Sequence, residues 1–115
     1  MVRRTGICPA GIPQHIVHRG NQLQDCFRGV SDFATYYALL DQYCRKFTVD
    51  IHAWALMNNH VHLLATPRES HVIEPFMEAV SRRYERYHNA RYQNTDDLWE
   101  ARFHACVVEA EPYFL

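Results

Sequence analysis

Within residues 57–64, Met57-Asn58-Asn59-His60-Val61-His62-Leu63-Leu64, two histidines stand two apart. Side chains along an extended strand alternate faces, so His60 and His62 point one way while Val61 and Leu63 point the other. Two neutral imidazoles on one face can share a divalent cation and leave its remaining positions to substrate or water. With eight histidines in the chain, a structural or solvated role is the ordinary alternative for such a pair. The setting weighs against it. The opposite face is wholly apolar, and Asn58-Asn59, residues that tolerate φ > 0 in a tight hairpin turn, come immediately before.

The cations form a second pattern. Eleven are arginines and only Lys46 is a lysine, and a planar guanidinium fork suits phosphate and base edges better than a point charge does. Arg82, Arg83, Arg86 and Arg91 cluster with His88 and are interleaved with Tyr84, Tyr87 and Tyr92. Such a stretch reads either as a phosphate-tracking edge with stacking partners or as the solvated end of a helix whose dipole favours cations. The formal net charge is −1, so no overall basic field assists binding and local placement must do it.

At 115 residues the chain has the size of one domain, residues 1–115, with a two-layer core. Cys8, Cys26, Cys44 and Cys106 are scattered without a Cys-x-x-Cys pair, which points to reduced thiols rather than a zinc ribbon or a disulfide framework. There is no apolar run long enough for a bilayer and no signal-peptide pattern, so a cytoplasmic protein without membrane contact is expected.

The elements that must position the histidines follow from periodicity. Residues 12–18 read as a strand with Gln14, Ile16 and His18 on one face and His15 and Val17 on the other. Arg19-Gly20-Asn21 ends it in a loop. Ser31 or Asp32 is a good cap for an amphipathic helix to about Phe47, carried by Phe33, Tyr36, Tyr37, Leu40, Tyr43 and Cys44. Residues 49–57 form a second strand, with Ile51, Ala53, Ala55 and Met57 as its apolar face. Residues 60–66 form a third, ended by Pro67. A helix from Glu69 to about Tyr92 carries the stripe Val72, Ile73, Phe76, Met77, Val80, Tyr84 and Tyr87. Residues 102–108 form the fourth strand, and Glu111-Pro112-Tyr113-Phe114-Leu115 reads as the opening of another helix. The order β-α-β-β-α-β predicts an α+β, ferredoxin-like fold: a four-stranded antiparallel sheet with two helices on one face. The first and third strands would then be central neighbours, with His60 and His62 mid-sheet on the open face, where a nucleic-acid strand can lie.

On these residues the chain resembles the single-tyrosine transposases, whose hallmark is a histidine-hydrophobic-histidine (HUH) motif. They include small insertion-sequence enzymes and REP-associated relatives. Beyond residues 57–64, His15-Ile16-Val17-His18-Arg19-Gly20-Asn21 resembles the family's first strand and Arg-Gly-Asn turn. Arg83-Tyr84 to Asn89 resembles its second-helix pattern, and Leu98-Trp99-Glu100-Ala101-Arg102-Phe103 its approach to the last strand. The resemblance implies a DNA endonuclease and strand transferase acting on single-stranded or hairpin DNA. His60 and His62 would hold a divalent cation, Mg or Mn, and Arg19, Asn21, Arg82, Arg83, Arg86 and Arg91 would contact DNA. A tyrosine would attack the phosphate to give a 5′-phosphotyrosyl link. In the family that tyrosine lies on a helix after the fourth strand, which here would fall beyond Leu115. Tyr113 resembles a packing aromatic, so no catalytic nucleophile is assigned within the chain, and it reads as a domain cut short before the nucleophile helix. A non-catalytic single-strand or hairpin DNA-binding module is the alternative. A metal-dependent hydrolase using water ranks third, since no general base is visible. A homodimer stays open.

Overall fold

Residues 60–67 alternate strictly between buried and half-buried positions: Val61, Leu63 and Ala65 are inside and His60, His62, Leu64 and Thr66 face outward. This strand is the axis of a five-stranded antiparallel sheet in the computed structural model, which describes residues 2–3 and 10–108. In chain order the elements are β1 (Val2–Arg3), β2 (Gln14–Arg19), α1 (Val30–Lys46), β3 (Val49–Met57), β4 (His60–Pro67), α2 (Ile73–Tyr92) and β5 (His104–Val107). The sheet order is β1-β5-β2-β4-β3. The expected α+β arrangement is present, with β2 and β4 as central neighbours. One edge strand is added: Val2 and Arg3 pair with Cys106 and Ala105 of β5. The expected last helix, residues 111–115 with Tyr113, lies outside the described residues, as does Cys8.

One face of the sheet carries the core. Ile16, Val61, Leu63, Ala65 and Ala105 meet Tyr36, Leu40, Phe76, Met77, Val80 and Tyr84 of the two helices in one buried cluster. Tyr36, Phe76 and Tyr84 are fully buried, and each such side chain contributes about 2–3 kcal/mol by leaving water. No helix among the described residues is long and apolar enough to cross a membrane. Cys26, Cys44 and Cys106 are free thiols; burial pushes the Cys26 thiol up to about 12.

Several expected boundaries move, each for a local reason. The alternation expected for β3 breaks at a bulge between Ile51 and Ala53, where the register against β4 shifts. Ala53, Ala55 and Met57 consequently pair with the outward residues Leu64, His62 and His60. Trp54 and Leu56 instead pair with the inward Leu63 and Val61. Trp54 packs on Tyr37 of α1, ring centroids 5.2 Å apart. Helix α2 begins at Ile73, not Glu69, after His71 takes a left-handed φ of 64°. Pro75 explains the shift. In a helix from Glu69 it would sit in the interior without an N–H to donate, whereas in one from Ile73 it occupies the first turn, where no donor is needed.

Neither Ser31 nor Asp32 caps α1, whose cap position is Gly29. Asp32 lies in the first turn and is fully buried, and it joins the two helices. It accepts hydrogen bonds from the Arg28 backbone N–H (2.8 Å), the Tyr87 hydroxyl (2.7 Å) and the Tyr92 hydroxyl (2.5 Å), with Arg91 at 3.6 Å. Burial alone would raise its pKa. These donors and the Arg91 charge outweigh burial and hold the carboxyl below the ordinary 3.8.

Candidate functional site

The open face of the sheet carries the histidine pair. Strand β4 presents His60 and His62 on the side away from the helices, with ring centroids 4.8 Å apart and planes at 75°. Register supplies their neighbours. Arg19 of β2 lies opposite His60, Val17 lies opposite His62, and His15 lies opposite Leu64. From that next position along β2, the His15 ring reaches the His62 ring. His15 Nε2 and His62 Nδ1 are 3.0 Å apart, with the rings nearly parallel at 14°. His60 Nδ1 lies 2.7 Å from Asn59 Oδ1. A carboxamide oxygen only accepts, so His60 donates from Nδ1, and in the neutral form of the ring the Nε2 lone pair is free.

The electrostatics favour a neutral ring at His62. Burial lowers the His62 pKa below the ordinary 6.5, and the charges of His60, His15 and Arg19 lower it further. A neutral imidazole is the form a cation needs. Two such donors on one face fit part of a divalent ion's coordination. Among the described residues, no group of three or more His, Cys, Asp or Glu could hold a metal ion.

The hairpin carrying the pair is clamped from outside the sheet. Asn58 and Asn59 form the turn, yet neither has the positive φ their residue type allows. Their carbonyls serve as anchors instead. Asn58 O accepts from the backbone N–H of Cys26 (2.6 Å) and Phe27 (3.1 Å), and Asn59 O accepts from Gly20 (2.8 Å). That loop is tied to α2 by the Tyr84 hydroxyl, which donates to Cys26 O at 2.6 Å. Asn21 sits half-buried beside it, its N–H donating to Leu98 O at 2.8 Å.

Of the residues expected to touch DNA, only Arg19 joins the histidines. Arg82, Arg83, Arg86 and Arg91 lie on α2, in the layer on the other side of the sheet. Arg82 pairs with Glu78 at 3.7 Å and lines a cleft of about 740 Å³ whose walls also carry Glu74, Glu85, Asp97 and Glu100. Arg91 is turned toward the buried Asp32. Arg83 and Arg86 are exposed, and no described carboxylate pairs with either. His88 is no surface cation: it is fully buried with neither ring nitrogen hydrogen-bonded, and burial lowers its pKa. Tyr84, Tyr87 and Tyr92 are not free stacking partners, since Tyr84 is in the core and the other two bind Asp32. Sequence reasoning missed His15 and the clamp that the loop 20–27, of which it had singled out only Gly20 and Asn21, makes on the hairpin. For His15 the signal was present: alternation put it opposite Gln14 and Ile16, hence on the histidine face once β2 pairs with β4.

A family model described as IS200-like transposase matches residues 10–113. Among solved structures, a REP-associated tyrosine transposase bound to a REP hairpin aligns over 95% of this chain and 62% of its own. Its TM-score is 0.70 at 14% identity. A Deinococcus radiodurans protein described as a transposase aligns over 95% of this chain and 87% of its own, with TM-score 0.66 and 19% identity. This chain therefore spans less than two thirds of the REP-associated protein. Among curated proteins, none matches the sequence.

Proposed function

Because the chain belongs to the IS200-like transposase family, we propose that its open sheet face binds single-stranded or hairpin DNA and holds a scissile phosphate over His60 and His62. The observation that carries this reading is the placement of two imidazoles with lowered or oriented proton occupancy beside the Arg19 cation, on a face the helices leave uncovered. The structural relative bound to a REP hairpin supports hairpin DNA as the ligand class.

His60 and His62 would hold a divalent ion, Mg or Mn, which when bound supplies positive charge to the phosphate's non-bridging oxygen and orients the ester. The chain's own residues do the rest. Arg19 presents a planar cation to the phosphate next to His60. Asn59 fixes the His60 ring, and the clamped hairpin keeps both imidazoles in place without reorganisation. Strand transfer of this class needs a tyrosine oxygen to attack phosphorus as the 3′-oxygen departs, leaving a 5′-phosphotyrosyl link and a free 3′-hydroxyl. Tyr36, Tyr37, Tyr43, Tyr84, Tyr87 and Tyr92 all belong to the helix layer. An attacking oxygen must come within about 3–3.5 Å of the phosphorus, so none of these six is the nucleophile. The competing reading, a DNA-binding module without chemistry, uses the same face.

Two measurements test the proposal. Titration with Mn²⁺ is expected to give saturable binding by the wild type that disappears in the His60→Ala/His62→Ala protein; equal binding by both would end the metal reading. Incubation of this chain, and of a longer chain carrying the family's nucleophile helix, with labelled hairpin DNA and denaturing electrophoresis then separates the two readings. A covalent adduct of the longer chain that requires His60 and His62 supports strand transfer, and binding without adduct by both chains supports the module.

The α2 arginines have their own expected result. Arg83 and Arg86 lie across the sheet from the histidines, so Arg83→Ala/Arg86→Ala tests whether the DNA also reaches the helix layer: if it does, the dependence of log K on log salt flattens by about 0.7 for each lost phosphate contact on single strands. Arg82→Ala should leave it nearly unchanged, because Arg82 faces Glu78 and an acid-lined cleft. A wild-type slope in the double variant would make these arginines a solvated helix face.

A further inference from the structure

Both imidazoles of the pair, His60 and His62, have a partner at Nδ1, and the two partners differ. His60 Nδ1 meets Asn59 Oδ1 at 2.7 Å, an oxygen that can only accept. His62 Nδ1 meets His15 Nε2 at 3.0 Å, and a neutral imidazole pair can share one proton in either direction. If His15 donates, His62 Nδ1 accepts and the His62 proton sits on Nε2, which leaves no lone pair free for a cation. If His62 donates from Nδ1 and His15 accepts at Nε2, the His62 Nε2 lone pair is free, matching His60. Only the second arrangement makes the two rings equivalent donors.

We propose that His15 is a positioning residue: it accepts the Nδ1–H of His62 at its own Nε2, carries its own proton on Nδ1, and thereby fixes the tautomer and orientation of His62. This rests on the reading of His60 and His62 as cation ligands. The near-parallel rings, 5.2 Å between centroids, hold the pair in one geometry. The strand pairing prevents drift, since His15 lies opposite Leu64, the next outward position after His62 on β4. Hydrogen-bond partners of this kind typically change metal affinity by about 10–100-fold when removed, without touching the metal themselves.

Two variants and two readouts decide it. His15→Phe keeps a flat ring and removes the acceptor, while His15→Gln restores an acceptor oxygen near the position of Nε2. In the metal-free protein at mildly alkaline pH, long-range ¹⁵N–¹H spectra of the His62 ring are expected to show the Nδ1–H tautomer in wild type and His15→Gln. In His15→Phe the ring is expected to pass to Nε2–H. Mn²⁺ affinity is expected to fall about 10-fold or more in His15→Phe and to stay within about 3-fold of wild type in His15→Gln. Wild-type tautomer and affinity in His15→Phe overturn the proposal. Loss of Mn²⁺ binding in both variants also overturns it, by making His15 a ligand. If wild type and His60→Ala/His62→Ala bind Mn²⁺ equally, the metal reading fails, and the tautomer, which needs no metal, still decides what His15 does.

Discussion

Gly20→Ala is expected to destabilise the domain by about 3 kcal/mol, at the upper end of ordinary overpacking costs. Gly20 has φ −64° and ψ 144°, an extended conformation open to any residue, so backbone freedom does not explain it. Space does. A Cβ at this position would lie 2.4 Å from the Gln24 carbonyl oxygen, 2.8 Å from Cys26 Sγ and 3.4 Å from the Asn59 carbonyl oxygen. Two of those atoms are backbone and cannot rotate away. Relief requires moving the loop off the hairpin, which lengthens the Gly20 N–H to Asn59 O bond and loosens the two bonds onto Asn58. The expected Tm loss is about 12 °C for a domain of this size. Thermal melts of Gly20→Ala against Gly29→Ala check it. A methyl added at Gly29 meets nothing within 4 Å, so that variant is expected to lose no more than about 1 kcal/mol, the usual scale of a weakened helix cap. Equal melts would show that the contact at Gly20 yields freely. Mn²⁺ titration of folded Gly20→Ala adds a functional readout, because the clamp also sets where His60 stands.

His88→Leu is expected to stabilise the protein and to flatten its response to acid. His88 is fully buried among Tyr84 and Tyr92, and neither ring nitrogen makes a hydrogen bond of ordinary geometry, Asn89 offering only a weak polar contact. Removing orphaned polar atoms from such a site, at similar volume, is worth about 1–3 kcal/mol. Burial, aided by the Arg28 charge, depresses its pKa below 6.5, and burial does the same to His18 despite the Glu100 carbonyl that receives it. Unfolding returns both rings to the ordinary value, so below about 6.5 the unfolded chain binds more protons than the folded one. Stability is therefore level above 6.5, falls as pH drops below it, and stops falling once pH passes under the folded pKa values. His88→Leu removes one of three such contributions, since the His62 pKa is lowered as well, leaving a shallower slope from His18 and His62. Melts across about pH 5 to pH 8 measure this. A lower Tm with an unchanged slope would show that the buried ring is matched by its surroundings.

The alternation of residues 60–66 determined by itself that His60 and His62 share a face and that the opposite face is core, because a strand's two-residue period needs no knowledge of its neighbours. The spacing of apolar residues likewise placed both helices, and with the strands their order fixed an α+β sheet carrying helices on one side. What the tertiary structure decided were relations between segments far apart in sequence. His15 and His62 are 47 residues apart, and their contact depends on the register of β2 against β4. Gly20 is required only because the loop after β2 closes on a turn formed nearly forty residues later. The bulge at Ile51/Ala53 turned Ala53, Ala55 and Met57 outward, a shift no local periodicity could announce. The basic stretch on α2 reads as one patch in the sequence. In the fold it divides, since a helix exposes only part of its circumference: His88 goes into the core, Arg91 toward Asp32, Arg82 into an acid-lined cleft, and Arg83 and Arg86 to solvent. Periodicity assigns a residue to a side of its own element, and only packing determines which other element, charge or solvent that side meets.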